Sequence, residues 1–187
     1  EDIRDAIKAL NFEHKSLNQP SWINAYQRSR QEQNPLSFYA EVNKALDQAL
    51  DSFNPNFVLT FALCPIPPGF GAKLKARGVK SAHWFFENGN RFPNYERMAR
   101  EHDVLFAIQR SVVRTLQAKG HLSSSYLPLG VPPRCTSPTL YRSQSPEHAI
   151  AFVGTPSSWR RELFTTIAAQ GIKLWGPGWQ QLGEPLA

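Results

Sequence analysis

Apolar and polar positions change their period several times along the chain, and each change marks an element. Ile3, Ala6, Ile7 and Leu10 recur at helical spacing, so Glu1–Leu10 is expected to be a helix. Phe12–Leu17 is expected to be a short strand. Leu36–Phe53 is the longest periodic stretch, with Tyr39, Val42, Leu46, Ala49, Leu50 and Phe53 on one ridge. The pattern then becomes continuous: FVLTFAL (Phe57–Leu63) is apolar throughout, as strands covered on both faces are.

The same two signals alternate from there on. A helix over 72–77 is closed by Gly78, and VKSAHWFF (Val79–Phe86) follows as a strand. Asn94–Glu101 is the next helix and VLFAI (Val104–Ile108) the next strand. Ser111–Lys119 turns Val112, Val113 and Leu116 inward and stops at Gly120, before LSSSYLPL (Leu122–Leu129). Strands spaced by helices predict parallel βαβ units, and right-handed crossovers make an open, doubly wound sheet the expected form. Residues 131–148 change in composition, with Pro132, Pro133, Pro138 and Pro146 among Ser, Thr and Arg, and read as a linker. A second α/β unit is then expected over 149–187: strand AIAFVG, helix Trp159–Gln170, strand IKLW and the turn GPGW. The fold class is therefore α/β, a Rossmann-like open parallel sheet over 1–130 and the beginning of a second Rossmann-like domain.

Composition narrows the class. Hydrophobic residues make up 41% and charged residues 19%, which is that of a folded chain. No apolar run is long enough for a membrane span, and Glu1 opens no signal peptide. The net charge of +6 suits anionic ligands, but Lys and Arg are scattered and no nucleic-acid partner is expected. Cys64 and Cys135 form no metal-ligand or redox spacing, which fits a cytoplasmic location with both thiols reduced.

Two loops carry candidate chemistry. In GTPSSWRR (Gly154–Arg161) a glycine turn precedes a helix whose first turn holds Arg160 and Arg161, with no acid from Ala149 to Arg161. The positive end of a helix disfavours cations by roughly 0.3–1 kcal/mol each. A bound diphosphate would reverse that sign, since helix N-termini and guanidinium forks both bind phosphate. The other reading turns both arginines into water or onto a distant carboxylate. Gly176, Gly178 and Trp179 follow the next strand, at the edge where α/β proteins bind ligands, or simply make a turn. In HWFFENGNRF, Glu87, Asn88, Asn90 and Arg91 also follow a strand end. Glu87 there serves as a general base, or caps the next helix, or pairs with Arg91. His83, mid-strand, is read as a satisfied core residue, and Trp84 and Phe86 should face opposite to Phe85. PPGFG holds only a G-x-G, with Leu74 at the third glycine position of a dinucleotide loop. Phosphate-loop, serine-elbow and His/Cys metal motifs are absent from the sequence.

Taken in order, HWFFEN, HDVLFAIQRSVVRTLQAKG, YLPLGVPP, IAFVGTPSSWRRELF and IKLWGPGW resemble the CgeB-like glycosyltransferases of the GT-B class, a bacterial family. The resemblance runs over about Phe57–Trp179. It implies an acceptor-side N-terminal domain and a nucleotide-sugar-binding C-terminal domain. It implies sugar transfer from a nucleotide-sugar donor to a hydroxyl acceptor, a glycan or protein, with no metal or other cofactor. Gly154, Thr155, Arg160, Arg161, Gly176, Gly178 and Trp179 would lie at the donor diphosphate. Glu87 would be the base or an acceptor contact, where the family often has Asp, with Asn88, Asn90 and Arg91 on the acceptor side. The family's second domain continues well beyond a G-x-G-W turn with an acidic ribose-binding motif. On this reading 149–187 is its truncated beginning, and the chain alone is not expected to turn over. The alternative is a non-catalytic α/β module that binds a nucleotide or sugar, or serves as a scaffold.

Overall fold

The computed structural model describes residues 2–17, 21–31, 34–130 and 150–180. The chain divides into two compact units, Glu1–Pro132 and Pro133–Ala187. The linker expected over 131–148 lies outside the described residues.

The first unit opens with three helices, α1 (Asp2–Ala9), α2 (Ser21–Gln31) and α3 (Pro35–Phe53). Strands and helices then alternate: β1 (Phe57–Phe61), α4 (Phe70–Ala76), β2 (Lys80–Phe85), α5 (Tyr95–Glu101), β3 (Val104–Ala107), α6 (Arg110–Ala118) and β4 (Ser124–Tyr126). All neighbouring strands pair in parallel, which makes the unit a Rossmann-like α/β fold. Two expectations change, and one helix is added. Phe12–Leu17 forms no strand. The helix α2 has no clear period in its sequence and forms by packing Ala25 on Phe38 and Val42 of α3. The strand order is β1-β2-β3-β4, without the reversal that a doubly wound sheet requires.

That order decides where the core sits. Right-handed crossovers stepping one way along a sheet place their helices on one face. Accordingly Phe85, Leu105 and Ala107 pack with Phe70 and Leu74 of α4, Met98 of α5 and Val112, Val113 and Leu116 of α6. Leu46 and Leu50 bring α3 onto the same cluster. Strand parity puts Thr60, His83 and Ser124 on this face too, and all three are buried. The opposite face carries Phe57, Leu59 and Phe61, Ala82 and Trp84, and Val104 and Phe106. None of these joins the helix-packed core, and Phe57 remains 54% exposed. Double-sided cover, expected from the apolar runs, is thus not found among the described residues. As anticipated, Trp84 and Phe86 face away from Phe85; their rings meet at 5.5 Å, and Phe86 stacks on Phe61 at 6.2 Å.

Polar clamps fix the helices and strand ends. Asn34 caps α3, its Oδ1 accepting from Leu36 N at 3.2 Å. Lys73 of α4 bridges to Asp47 at 2.9 Å and Arg77 to Asp51 at 2.6 Å, tying α4 to α3. Ser81 N donates to Asp103 at 2.8 Å while Asp103 N donates back to Ser81 Oγ at 3.2 Å, pinning the start of β3 beside β2.

The second unit holds β5 (Ile150–Val153), α7 (Ser158–Ile167), a 3-10 turn (Ala168–Gln170) and β6 (Ile172–Trp175), the strands paired in parallel. Its core is Phe164 and Trp179, packed by Phe152, Ile167, Ala168, Ile172 and Leu174.

The two kinds of α3 contact differ in worth. Leu50→Ala should cost about 2–5 kcal/mol, because Leu50 is buried and leaves a cavity. Asp51→Asn should cost under about 1 kcal/mol, because its ion pair is solvent-exposed. Urea denaturation of both variants measures the difference.

Candidate functional site

In unit 1 the loop after β2 is built by its own side chains. Asn88 Oδ1 accepts from Asn90 N at 2.9 Å and Arg91 N at 3.3 Å, a side-chain-closed turn. Gly89 N donates to Gln109 Oε1 at 2.8 Å, which ties this loop to the start of α6. Arg91 lies 5.4 Å from the Phe92 ring centroid and does not pair with Glu87. Glu87 is half-buried and bonds none of the described groups, so neither capping nor ion pairing uses it. Of the four acceptor-side candidates, Asn88 is therefore spent on shaping the turn, while Glu87, Asn90 and Arg91 have side chains free of hydrogen-bond partners among the described residues. Beside them, Arg110 opens α6 and stacks on Tyr126 of β4 at 4.0 Å.

The loop after β1 takes a different form. Gly69 N and Gly71 N donate to the two carboxylate oxygens of Glu101, at 3.3 and 2.8 Å. The carboxylate from the end of α5 thus occupies the positive end of α4, where a dinucleotide loop would cradle phosphate. Gly71 is required there: a Cβ would lie 2.5 Å from the Glu101 carbonyl oxygen. The G-x-G of PPGFG is accounted for by this internal cap. Cys64, in the same loop, is a free thiol that burial pushes up to about 11, so it is protonated and a poor nucleophile at neutral pH.

Beneath these loops lies a buried polar chain. His102 Nδ1 is 2.8 Å from Met98 O, His102 Nε2 is 2.8 Å from Thr60 Oγ1, and Thr60 Oγ1 is 2.7 Å from His83 Nδ1. A carbonyl only accepts, so His102 carries its proton on Nδ1 and accepts at Nε2 when neutral. Thr60 then donates to His102 and accepts from His83 Nδ1. His83 Nε2 is left bare, buried and without a partner. His83 is thus a core residue, as the sequence indicated, but one satisfied at only one of its two nitrogens.

In unit 2 the two strand-end turns lock together. Gly154 N donates to Trp175 O at 2.7 Å, and Trp179 Nε1 donates to Gly154 O at 2.6 Å. Gly176 has φ 137°, and a Cβ on it would run into the Gly154 carbonyl. Trp179, buried, pins the turn from below against Phe152 and Phe164. Ser157 caps α7 by accepting from Arg160 N at 3.3 Å. The Arg160 guanidinium folds back onto the turn, with Nη1 donating to Thr155 O at 2.8 Å and the charge 5.2 Å from the Phe152 ring centroid. A carbonyl and a ring face therefore offset part of the cost of a cation at this helix start. Arg161 is exposed and bonds none of the described acidic groups.

The sequence candidates thus assemble into two loop clusters, one per unit. Glu101, Gln109, Thr60 and His102 went unseen, because their partners lie 20 to 42 residues away in the chain. Among the described residues no His, Cys, Asp or Glu cluster would hold a metal ion, and no helix is long and apolar enough to cross a membrane. Comparison with family profiles, characterised proteins and solved structures gave no match.

Glu101→Gln should lower stability by about 0.5–2 kcal/mol, since it removes the charge but keeps the shape of the α4 cap. Gly176→Ala should cost unit 2 about 1–3 kcal/mol through overpacking against Gly154. Both are read from denaturation midpoints, the second through tryptophan fluorescence of Trp175 and Trp179.

Proposed function

We propose that this chain takes part in transfer of a sugar from a nucleotide-sugar donor to a hydroxyl acceptor, in the manner of GT-B glycosyltransferases. The observation that carries the reading is the start of α7. Two guanidinium groups and the unbonded N–H groups of a first helical turn share one strand end, and no acid in that turn neutralises them. The internal cap of α4 makes the contrast: there a carboxylate fills the same kind of place. At α7 the matching anion is a diphosphate, contacted by Arg160, Arg161 and the backbone around Gly154 and Thr155. Gly176 and Gly178 let the second turn pack closely on Gly154 and Pro156 of the first. Trp179 acts as the pin that holds the turn.

The chemistry needed is modest. An acceptor hydroxyl attacks the anomeric carbon, the bond from that carbon to the diphosphate oxygen breaks, and the leaving group departs as an anion. Arginines and a helix end aimed at that oxygen stabilise the developing charge without a metal. The family resemblance would make Glu87 the base or an acceptor contact, with Asn90 and Arg91 on the acceptor side. The order of motifs that resembles the CgeB-like family supports the same reading.

A second reading is a module that binds the nucleotide or sugar without chemistry. It is favoured by Glu87 having no hydrogen-bonding neighbour that would orient it as a base.

Titration of the chain with UDP and with GDP, followed by tryptophan fluorescence and calorimetry, tests the site. The joint variant Arg160→Ala, Arg161→Ala should bind at least about 10-fold more weakly, the worth of a charge-assisted hydrogen bond of roughly 1.5–3 kcal/mol. No binding of either nucleotide, or an unchanged affinity in the variant, overturns the diphosphate assignment. Transfer that is unaffected in Glu87→Gln removes Glu87 as the base, while nucleotide binding with no transfer favours the module.

A further inference from the structure

We infer that Thr60, His83 and His102 form a buried proton relay, in which a single proton taken up by the pair comes to rest on His102 and reverses both hydrogen bonds of the Thr60 hydroxyl. The inference rests on the geometry of the chain and is independent of the proposed transferase activity.

The resting direction is set at one end. Met98 O accepts only, so protons point from His83 through Thr60 to His102, and from His102 to the carbonyl. The other end is open, because His83 Nε2 has a lone pair and no partner. A proton that reaches this nitrogen has two fates. It stays, and leaves an imidazolium fully buried among Phe85 and the neighbouring imidazole, with no carboxylate against it. Otherwise the relay fires. His83 Nδ1 gives its proton to Thr60 Oγ1 as Thr60 gives its own to His102 Nε2. His83 ends neutral with the proton on Nε2, Thr60 intact and His102 cationic. Two O–H or N–H bonds break and two form, and the one positive charge has moved from His83 to His102.

The surroundings favour that end point. The charged groups facing His102 come from α5 and the start of β3: Glu101 and Asp103 favour the cation, and Arg97 opposes it. Around His83, among the described residues, His102 opposes a second charge and the Ala62 backbone offsets this only in part. Burial holds both rings below the ordinary imidazole range, His83 at about 3, while the charges of Glu101 and Asp103 partly oppose this at His102. The Glu101 carboxylate, which caps Gly69 and Gly71 at the start of α4, acts on His102 through its charge alone.

The sign of the linkage is fixed by these directions. Both imidazoles titrate near 6.5 when unfolded and lower when folded, so the unfolded chain binds more protons between those values. The stability they supply is whole above about pH 6.5 and is lost as pH falls. With two histidines involved, the unfolding equilibrium constant should rise by up to about 100-fold per pH unit until His102 titrates in the folded state.

Nitrogen-15 and carbon-13 NMR of the histidine rings in the wild-type chain tests the relay directly. At pH 7 both rings should be neutral with the proton on Nδ1. On acidification His102 should become imidazolium while His83 switches to the Nε2–H form and stays neutral. A resting Nε2–H tautomer, a His83 that charges first, or either ring titrating at the unfolded value overturns the proposal. Denaturation as a function of pH gives the second readout. His102→Gln keeps an acceptor for Thr60 and should reduce the dependence to about 10-fold per pH unit. An unchanged slope refutes the linkage, and if this variant does not fold the wild-type spectra decide.

Discussion

Four parallel strands laid side by side in chain order leave their connecting helices one face to occupy. Most features of unit 1 follow from this constraint. The crossover helices α4, α5 and α6, joined by α3, gather the large aliphatic groups onto the face of Phe85 and Leu105. The same face receives the polar alternates of the strands, Thr60, Ser81, His83 and Ser124, which have no water to turn to. Each finds a partner inside: Asp103 for Ser81, the His121 carbonyl for Ser124, and the imidazole chain for Thr60. The opposite face keeps its aromatic side chains without helical cover among the described residues, and Phe61, Trp84 and Phe86 pack on one another instead.

The ends of the helices show how one electrostatic need is met in different ways. At α4 a carboxylate from α5 satisfies two backbone donors and brings the two helices together at Gly71. At α6 the first residue is Arg110, whose charge rests on the ring of Tyr126. At α7 the charge of Arg160 rests on a carbonyl and on Phe152. In the last two cases a cation at the unfavourable end of a helix is held by π faces or carbonyl oxygens. Those groups compensate without neutralising, and the local field stays positive. The anion site proposed for the strand end of unit 2 rests on that persistence.

How much of this was legible depended on range. The strands of both units were readable because runs such as FVLTF and VLFA carry their own signal, and β6 falls at IKLW as expected. Helix α2 was not, since SWINAYQRSRQ has a poor stripe and owes its shape to α3. Phe12–Leu17, apolar only at its two ends, carries no strand period and pairs with no strand. The loop candidates were found at strand ends, yet their division into turn-builders and free groups was hidden. Asn88 closes a turn, Trp179 pins one, and Glu87 does neither. The imidazole chain needed the register of β1 against β2, which places Thr60 opposite His83, and no local pattern encodes that pairing.

The order of the strands also bears on how the chain acquires its shape. Each new strand lies beside the one made just before it, with about twenty residues between partners, so contacts close over short loops. No early segment must wait for a late one to complete the sheet, unlike an arrangement in which later strands return to the middle. Low contact order of this kind favours fast assembly. A ribosome releasing the chain from its N-terminus would let β1 and β2 dock before β4 had been synthesised.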